Sequence, residues 1–445
     1  MTIFQERRKR FFDAMEDGVA LIPSGTPALR NGDVEHPFRA DSDFHFLTGM
    51  DEPDAWAVLT KSGTETTFDL YLRPFDPEQE VWMGKRTGTQ GAVKVFKADH
   101  GFDIARFADD LPLILENRPV LYFAFGVNAE WDARILAVTN NLKQEARRGV
   151  AGPWKLVDPR TVTWWMRMIK TRQDLTAQQK ACDVTAEAFK AAMRAVRPGI
   201  REYELAAVVE FEFARRGAKR LAFDTICAAG ANAATLHYTA NDAIIGERDM
   251  VLIDAGAEVG MVCADITRTF PASGRFEPAA REVHDWVLKA HAASVRAVKP
   301  GATYASVHRA GLEVLCRGLV RMNVLHGDID QIIESAAYRP YFMHRIGHWL
   351  GLDCHDVGPY FVDGESIRLE PGMVLTIEPG LYFRNQPEVP ERLRGIGVRI
   401  EDNVLVTPKG RKILTDGVPR SADDIEAFMA ASPDWFKGID PVSGR

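Results

Sequence analysis

Asp249-Met250-Val251-Leu252-Ile253-Asp254-Ala255-Gly256 is a strand-like apolar run that closes on a carboxylate and a glycine. The same grammar returns in Gly372-Met373-Val374-Leu375-Thr376-Ile377-Glu378-Pro379-Gly380. Upstream, Ala195-Val196-Arg197-Pro198-Gly199 is echoed by Ala297-Val298-Lys299-Pro300-Gly301, each between two helix-like segments. Pro-Gly is an expected helix stop. Ala-Val and Pro-Gly are common pairs, so chance is one explanation of the echo. The other is a duplicated unit of helix, Pro-Gly turn, helix and acid-tipped strand. Two such halves facing each other would bring their acids to one centre.

The rest of the chain fits around that repeat. At 445 residues it is too long for one ordinary core, and two domains are expected. Residues 1–165 read as an α/β domain, residues 172–430 as a second, α+β domain that holds the repeat, and 431–445 as a tail. In the first part, Gly18-Val19-Ala20-Leu21-Ile22 and Val120-Leu121-Tyr122-Phe123-Ala124 look like buried strands, and Ile104 to Leu115 looks helical. The Gly- and Pro-bearing stretch from Gly149 to Arg160 reads as the inter-domain connection. From Asp174 to Val196, Leu175, Ala181, Ala188 and Ala192 fall near one helical face.

Composition removes several classes of function. The chain is 46% hydrophobic and 26% charged, as in a soluble globular protein. A formal net charge of -7 argues against a general nucleic-acid or anionic-membrane binder. Glu6-Arg7-Arg8-Lys9-Arg10 has no apolar segment behind it and reads as the solvated face of an amphipathic helix rather than a signal peptide. No apolar run reaches the roughly 20 residues a membrane helix needs. Cys182, Cys227, Cys263, Cys316 and Cys354 are scattered and form no CxxC, so a disulfide framework is not indicated and a reducing cytoplasm fits.

Four acids carry the chemistry. Asp254 ends its run, and Asp265 follows in Val262-Cys263-Ala264-Asp265-Ile266-Thr267. A hairpin centred on Val259-Gly260 would set the two aspartates opposite each other, with Cβ atoms about 4.5–5.5 Å apart. Carboxylates so placed repel unless a proton or a metal lies between them. A solvated turn is the plainer reading of that pair alone. Glu378 changes the balance, because it ends an apolar run where a solvated glutamate would be out of place. Glu401 follows Val398-Arg399-Ile400, and Arg399 shares its strand face. His344, His348 and His355 lie within twelve positions. A lone histidine among apolar neighbours is usually a core residue, but three together are harder to dismiss. His344 and His348 are four apart without an HExxH, so this is not the zincin pattern. His237, in Thr235-Leu236-His237-Tyr238, is weak evidence by itself. Four carboxylates with one or two imidazoles suit Mn²⁺, Co²⁺, Fe²⁺ or Zn²⁺ in a two-metal cluster. Such a cluster would acidify a bridging water into a nucleophile.

Taken in order, the motifs Leu252-Ile253-Asp254-Ala255-Gly256, Asp265-Ile266-Thr267-Arg268-Thr269-Phe270, Gly347-His348-Trp349-Leu350-Gly351-Leu352 with His355-Asp356, Thr376-Ile377-Glu378-Pro379-Gly380 and Gly397-Val398-Arg399-Ile400-Glu401-Asp402 resemble the pita-bread metallopeptidases. That group holds Xaa-Pro aminopeptidase, prolidase and methionine aminopeptidase. Phe38-Arg39-Ala40-Asp41-Ser42-Asp43-Phe44 and Leu47-Thr48-Gly49 resemble the non-catalytic N-terminal domain of the bacterial Xaa-Pro aminopeptidases, which methionine aminopeptidases generally lack. The short interval from Glu378 to Glu401 resembles the aminopeptidase branch more than prolidase.

The resemblance implies an enzyme that uses two divalent metal ions, Mn²⁺ first, to remove the residue ahead of a proline. A prolidase acting on Xaa-Pro dipeptides is the alternative, and a metal-free binding relative a more distant one. Asp254, Asp265, His348, Glu378 and Glu401 would be the metal ligands, with Asp265 and Glu401 bridging. Glu378 would also take the proton of the attacking water, and His355 would hold the developing oxyanion. His237 and His344 would contact the substrate near proline, and Arg399 would fix the ligand shell. Phe223-Asp224-Thr225 departs from the Tyr-Asn-Thr of the bacterial aminopeptidases. Cys263 and Cys354, beside site residues, read as small buried hydrophobes. A homo-oligomer, dimer or tetramer, is implied, with Trp82 of one copy near a neighbour's site.

Overall fold

The computed structural model describes residues 1–431 and Trp435; apart from Ala431 and Trp435, the tail expected over 431–445 lies outside them. The chain divides into two compact units, Met1–Met166 and Arg167–Arg445.

The first unit is built on one six-stranded mixed sheet. Its order is His100–Asp103, Glu65–Leu72, Trp56–Ser62, Gly18–Pro23, Val120–Tyr122, Lys155–Val157. Gly18–Pro23 is central, antiparallel to Trp56–Ser62 and parallel to Val120–Tyr122. The stretch expected as a connection, Gly149–Arg160, instead supplies the last strand, Lys155–Val157, parallel to Val120–Tyr122. Three residues paired in a sheet leave no periodicity for sequence reading to detect.

A second correction concerns the basic run. Its helix, Ile3–Ala14, opens on a Thr2–Gln5 capping box, yet Arg7 and Arg8 are buried rather than solvated. Arg7 donates to the carbonyl of Phe46 and Arg8 to that of Leu47. Those carbonyls end the helix Ser42–Thr48, where an arginine meets both the unpaired acceptors and the negative end of the dipole.

The second unit is the repeat. Helix α1 (Arg172–Ala195) packs on α2 (Glu202–Arg215), and α3 (Pro278–Ala297) packs on α4 (Tyr304–Arg321). Both Pro-Gly turns do the same work. The Gly199 N–H donates to Ile245 at 2.8 Å and the Gly301 N–H to Leu369 at 2.9 Å. Two residues on, Arg201 bridges Ile244 and Thr303 bridges Arg368, both antiparallel.

The strands repeat as well. In the first half β1 (Met250–Ala255) pairs antiparallel with β2 (Ile266–Pro271); in the second, β3 (Val374–Ile377) pairs antiparallel with β4 (Asp402–Thr407). The halves meet where the Glu401 N–H donates to Thr267 at 3.0 Å and the Arg399 N–H to Thr269 Oγ1 at 3.1 Å. Each half therefore carries one acid at the end of its first strand and another just before its second. That places Asp254 with Asp265, and Glu378 with Glu401, around one junction.

The register differs from expectation. Val259 pairs with Val262, so the turn is Gly260-Met261, and both residues have positive φ, as a two-residue type I′ turn requires. Shifting the turn by one residue moves every partner by two, and Asp254 faces Thr267 instead of Asp265. Asp265 lies in the break ahead of β2. Gly256 permits that break, because a Cβ there would sit 1.8 Å from the carbonyl oxygen of Ala264.

Candidate metal centre

Strand ends hold the four acids, and a fifth group arrives beside β3. Residues 346–350 run along that strand without forming a regular one. The Thr376 N–H donates to His348 at 2.9 Å, the His348 N–H to Thr376 Oγ1 at 3.0 Å, and the Leu350 N–H to Val374 at 3.1 Å. His348 Nδ1 lies 2.9 Å from the Trp349 carbonyl, which holds the proton on Nδ1 and leaves the Nε2 lone pair facing inward. Nε2 stands 3.4 Å from Asp265 Oδ2 and 3.6 Å from Glu378 Oε1.

In each acid, a protein group lies against one oxygen. Arg399 Nη2 donates to Asp254 Oδ2 at 2.6 Å, and Thr267 Oγ1 donates to Glu401 Oε2 at 2.7 Å. Cys354 Sγ lies 3.1 Å from Asp265 Oδ2, and His344 Nδ1 3.5 Å from Glu378 Oε2. The other oxygens of three acids, Asp254 Oδ1, Asp265 Oδ1 and Glu401 Oε1, are inaccessible to solvent and have no hydrogen-bond partner among the described residues. Buried acceptors of that kind are costly, and a cation satisfies them. Donor atoms of Asp265, His348 and Glu401 lie within 4.8 Å of one another, while Asp254 and Glu378 border that trio. The residues fit divalent metal ions.

Electrostatics agrees. Burial pushes Asp254 up to about 6 against the pull of Arg399, and Glu378 up to about 7 against the pull of His348. Glu401 goes well above the usual carboxylate range through burial and repulsion from Asp265 and Glu378. Burial works against a charged imidazole at His348, yet Asp265 and Glu378 carry it up to about 9. Acids that hold protons and a histidine that gains one mark a place short of positive charge.

Arg399 is 3% exposed and uses all three arms of its guanidinium: Asp254, Thr267 Oγ1 at 3.1 Å, and Tyr382 Oη at 3.0 Å. Tyr382 in turn lies 2.8 Å from His344 Nε2, and His344 Nδ1 lies 2.7 Å from the Arg345 carbonyl. With Arg399 donating to it, the Tyr382 hydroxyl donates to Nε2, which puts the His344 proton on Nδ1. Burial and Arg399 lower the His344 pKa to about 3, so the ring is neutral.

A cavity of about 990 Å³ opens onto this cluster. All of the singled-out residues line it: Asp254, Asp265, His348, Glu378 and Glu401, with His237, His344, His355 and Arg399. Phe223 and Asp224 line it too, where the sequence departs from Tyr-Asn-Thr. His355 is exposed, its ring edge-on to His348 at 4.3 Å between centroids.

Sequence reading missed three participants. Tyr382, on the strand Gly380–Phe383, is fully buried yet polar at its tip. Asp356 takes Arg167 Nη2 at 2.6 Å and Lys170 Nζ at 3.0 Å, which fixes the turn bearing His355. Cys354 is the correction. It is half-buried in the cavity wall with its thiol against a site carboxylate, whereas Cys263 is buried as expected.

Known proteins show the same design. The pattern of Metallopeptidase family M24 matches residues 176–408, and that of the Aminopeptidase P N-terminal domain matches residues 4–122. The chain is 39% identical to a Xaa-Pro aminopeptidase of Escherichia coli, over 96% of this chain and 98% of that one. It is 40% identical to the Xaa-Pro aminopeptidase of Haemophilus influenzae, over 96% of each. The solved structure of Pseudomonas aeruginosa aminopeptidase PepP superposes with a TM-score of 0.93 at 43% identity, covering 96% of this chain and 97% of that one.

Arg399 gives the geometry a test. Arg399→Lys keeps the charge but loses the three-armed fork, and divalent-metal affinity should fall about 10–100-fold. Tyr382→Phe removes the hydroxyl shared by Arg399 and His344 but keeps the Arg399 bonds to Asp254 and Thr267, and should leave affinity within about threefold. Metal titration by calorimetry reads both, and equal losses would assign Arg399 no special part in holding Asp254.

Proposed function

The chain belongs to metallopeptidase family M24, and from that membership we propose that it is an aminopeptidase releasing the N-terminal residue of peptides with proline in the second position. The observation that carries this reading is the set of inward-facing, unpartnered oxygens on Asp254, Asp265 and Glu401 at the floor of a cavity large enough for a peptide end. Asp254, Asp265, His348, Glu378 and Glu401 would hold two divalent cations, Mn²⁺ first and Zn²⁺, Co²⁺ or Fe²⁺ otherwise. When bound, these ions supply Lewis acidity and acidify the attacking water.

The protein's own groups do the rest. Glu378 takes the proton of the attacking water, with Thr376 Oγ1 3.4 Å from its Oε1. His355, exposed on the cavity side of His348, donates to the oxyanion of the scissile carbonyl. His237 and His344 border the place of the proline ring. Proline lacks the N–H that ordinary aminopeptidases bind, so the site must accept a ring without any contact that needs that donor. Each nitrogen of the Arg399 fork already holds a protein partner, which favours a supporting part in the ligand shell over binding of the free proline carboxylate. Arg345, exposed in the cavity wall, is left to meet a substrate carboxylate.

Peptide length and metal content test this reading. Xaa-Pro-Xaa tripeptides should turn over at least as fast as matched Xaa-Pro dipeptides; turnover of dipeptides alone would make the enzyme a prolidase. Elemental analysis of active protein should find two divalent ions per chain. Asp265→Asn or Glu401→Gln should disturb both ions, and His348→Ala mainly one. Active protein without transition metal would overturn the reading.

Assembly belongs to the same proposal. Val81, Trp82 and Met83 are 82%, 82% and 60% exposed, an apolar tip that a homo-oligomer would cover. No described helix is long and apolar enough to cross a membrane, and a cytoplasmic place remains part of the proposal. A light-scattering mass of one chain would exclude the oligomer.

A further inference from the structure

The corner of the cavity around Cys354 carries a second donor set that overlaps the carboxylate centre and adds two groups that centre does not use, Cys354 and His355. Donor atoms of His348, Cys354 and His355 lie within 4.8 Å of one another. Asp265 Oδ2 joins them, 3.1 Å from Cys354 Sγ and 3.4 Å from His348 Nε2. Tetrahedral zinc with bonds of about 2.0–2.3 Å spaces its ligands by little more than that. His348 is already oriented, its Nδ1 held by Trp349 so that Nε2 faces the group. The turn bearing Cys354 and His355 is fixed at its far end by Asp356 with Arg167 and Lys170.

The chemistry of this set differs from that of its neighbour. Four carboxylates and one imidazole form a site of mostly hard oxygens, whereas a thiol, two imidazoles and one carboxylate select softer ions. We propose that Cys354, His355, His348 Nε2 and Asp265 Oδ2 form a second cation position, specific for thiophilic divalent ions of the Zn²⁺ and Cd²⁺ class. As the sulfur–metal bond forms, the thiol proton passes to solvent. His348 and Asp265 belong to both sets, so filling this position withdraws two groups from the carboxylate centre and inhibits the enzyme. Mn²⁺, indifferent to sulfur, does not fill it.

Cadmium reports the bond directly, through the ultraviolet charge-transfer band of a cadmium thiolate. Mn²⁺-loaded protein titrated with Cd²⁺ should develop this band to one equivalent per chain. The band should vanish in Cys354→Val and persist in Cys263→Ala, and His355→Ala should weaken Cd²⁺ binding at least about tenfold. In the unaltered protein, Cd²⁺ should shield Cys354 from a small alkylating reagent, read by mass spectrometry, a result independent of how any variant folds. Zn²⁺ inhibition of the Mn²⁺ enzyme should weaken at least about tenfold in Cys354→Val. The binding measurements need no peptide substrate, so they stand even if the peptidase reading fails. A wild-type protein without the band at saturating Cd²⁺, a band that survives Cys354→Val, or alkylation of Cys354 unaffected by Cd²⁺ would overturn the proposal.

Discussion

Four carboxyl groups turned toward one another inside a protein repel, and burial deepens the cost of each charge. The second unit is organised around this repulsion. Strand pairs from two halves deliver one acid at the end of the first strand and one ahead of the second. Backbone bonds between the halves, such as Glu401 N–H to Thr267, oppose relaxation of the acids away from one another. Holding them in place is work for the surrounding core, in which the apolar strands β1 and β3 are buried along nearly their whole length.

Arg399 shows how the burden is shared. One buried guanidinium would not neutralise four acids, and its geometry is not that of a counter-ion at their centre. It takes a single oxygen of Asp254 from the side, together with Thr267 and Tyr382, and leaves the inner oxygen of Asp254 free. Thr267 does the same for Glu401. Partners at the rim orient the acids without filling the middle, which is the arrangement a cation-binding shell needs.

Much of this was legible in the sequence because it depends on local pattern. An acid that closes an apolar strand is visible in Ile253-Asp254 and Ile377-Glu378, and the paired Pro-Gly turns announce the duplication. What sequence hid depends on backbone angle or on distant partners. Met261 at positive φ has no propensity signal, so the hairpin was placed one residue early and Asp254 was matched with the wrong partner. Arg7 and Arg8 looked solvated because the carbonyls they serve lie about forty residues away. Cys354 reads as core filler, and Tyr382 carries no signal, because their polar atoms meet Asp265 and Arg399 only in three dimensions.

The division of labour between strands and loops follows from what each must tolerate. Metal ligation demands fixed distances, and the carboxylates sit where sheet hydrogen bonds define position to a fraction of an ångström. The histidines that border the cavity lie elsewhere, His237 in an irregular stretch and His355 on the turn after His348. Contacts to a substrate must form and release with each turnover, which suits segments anchored at a few points. Asp356 supplies such an anchor: it ties down the base of the turn through Arg167 and Lys170 and leaves His355 exposed at its tip. Cys354 sits between these regimes, on the turn that carries His355 but with its sulfur against a metal-ligand carboxylate. A thiol in that position sets one soft donor beside a shell of hard oxygens.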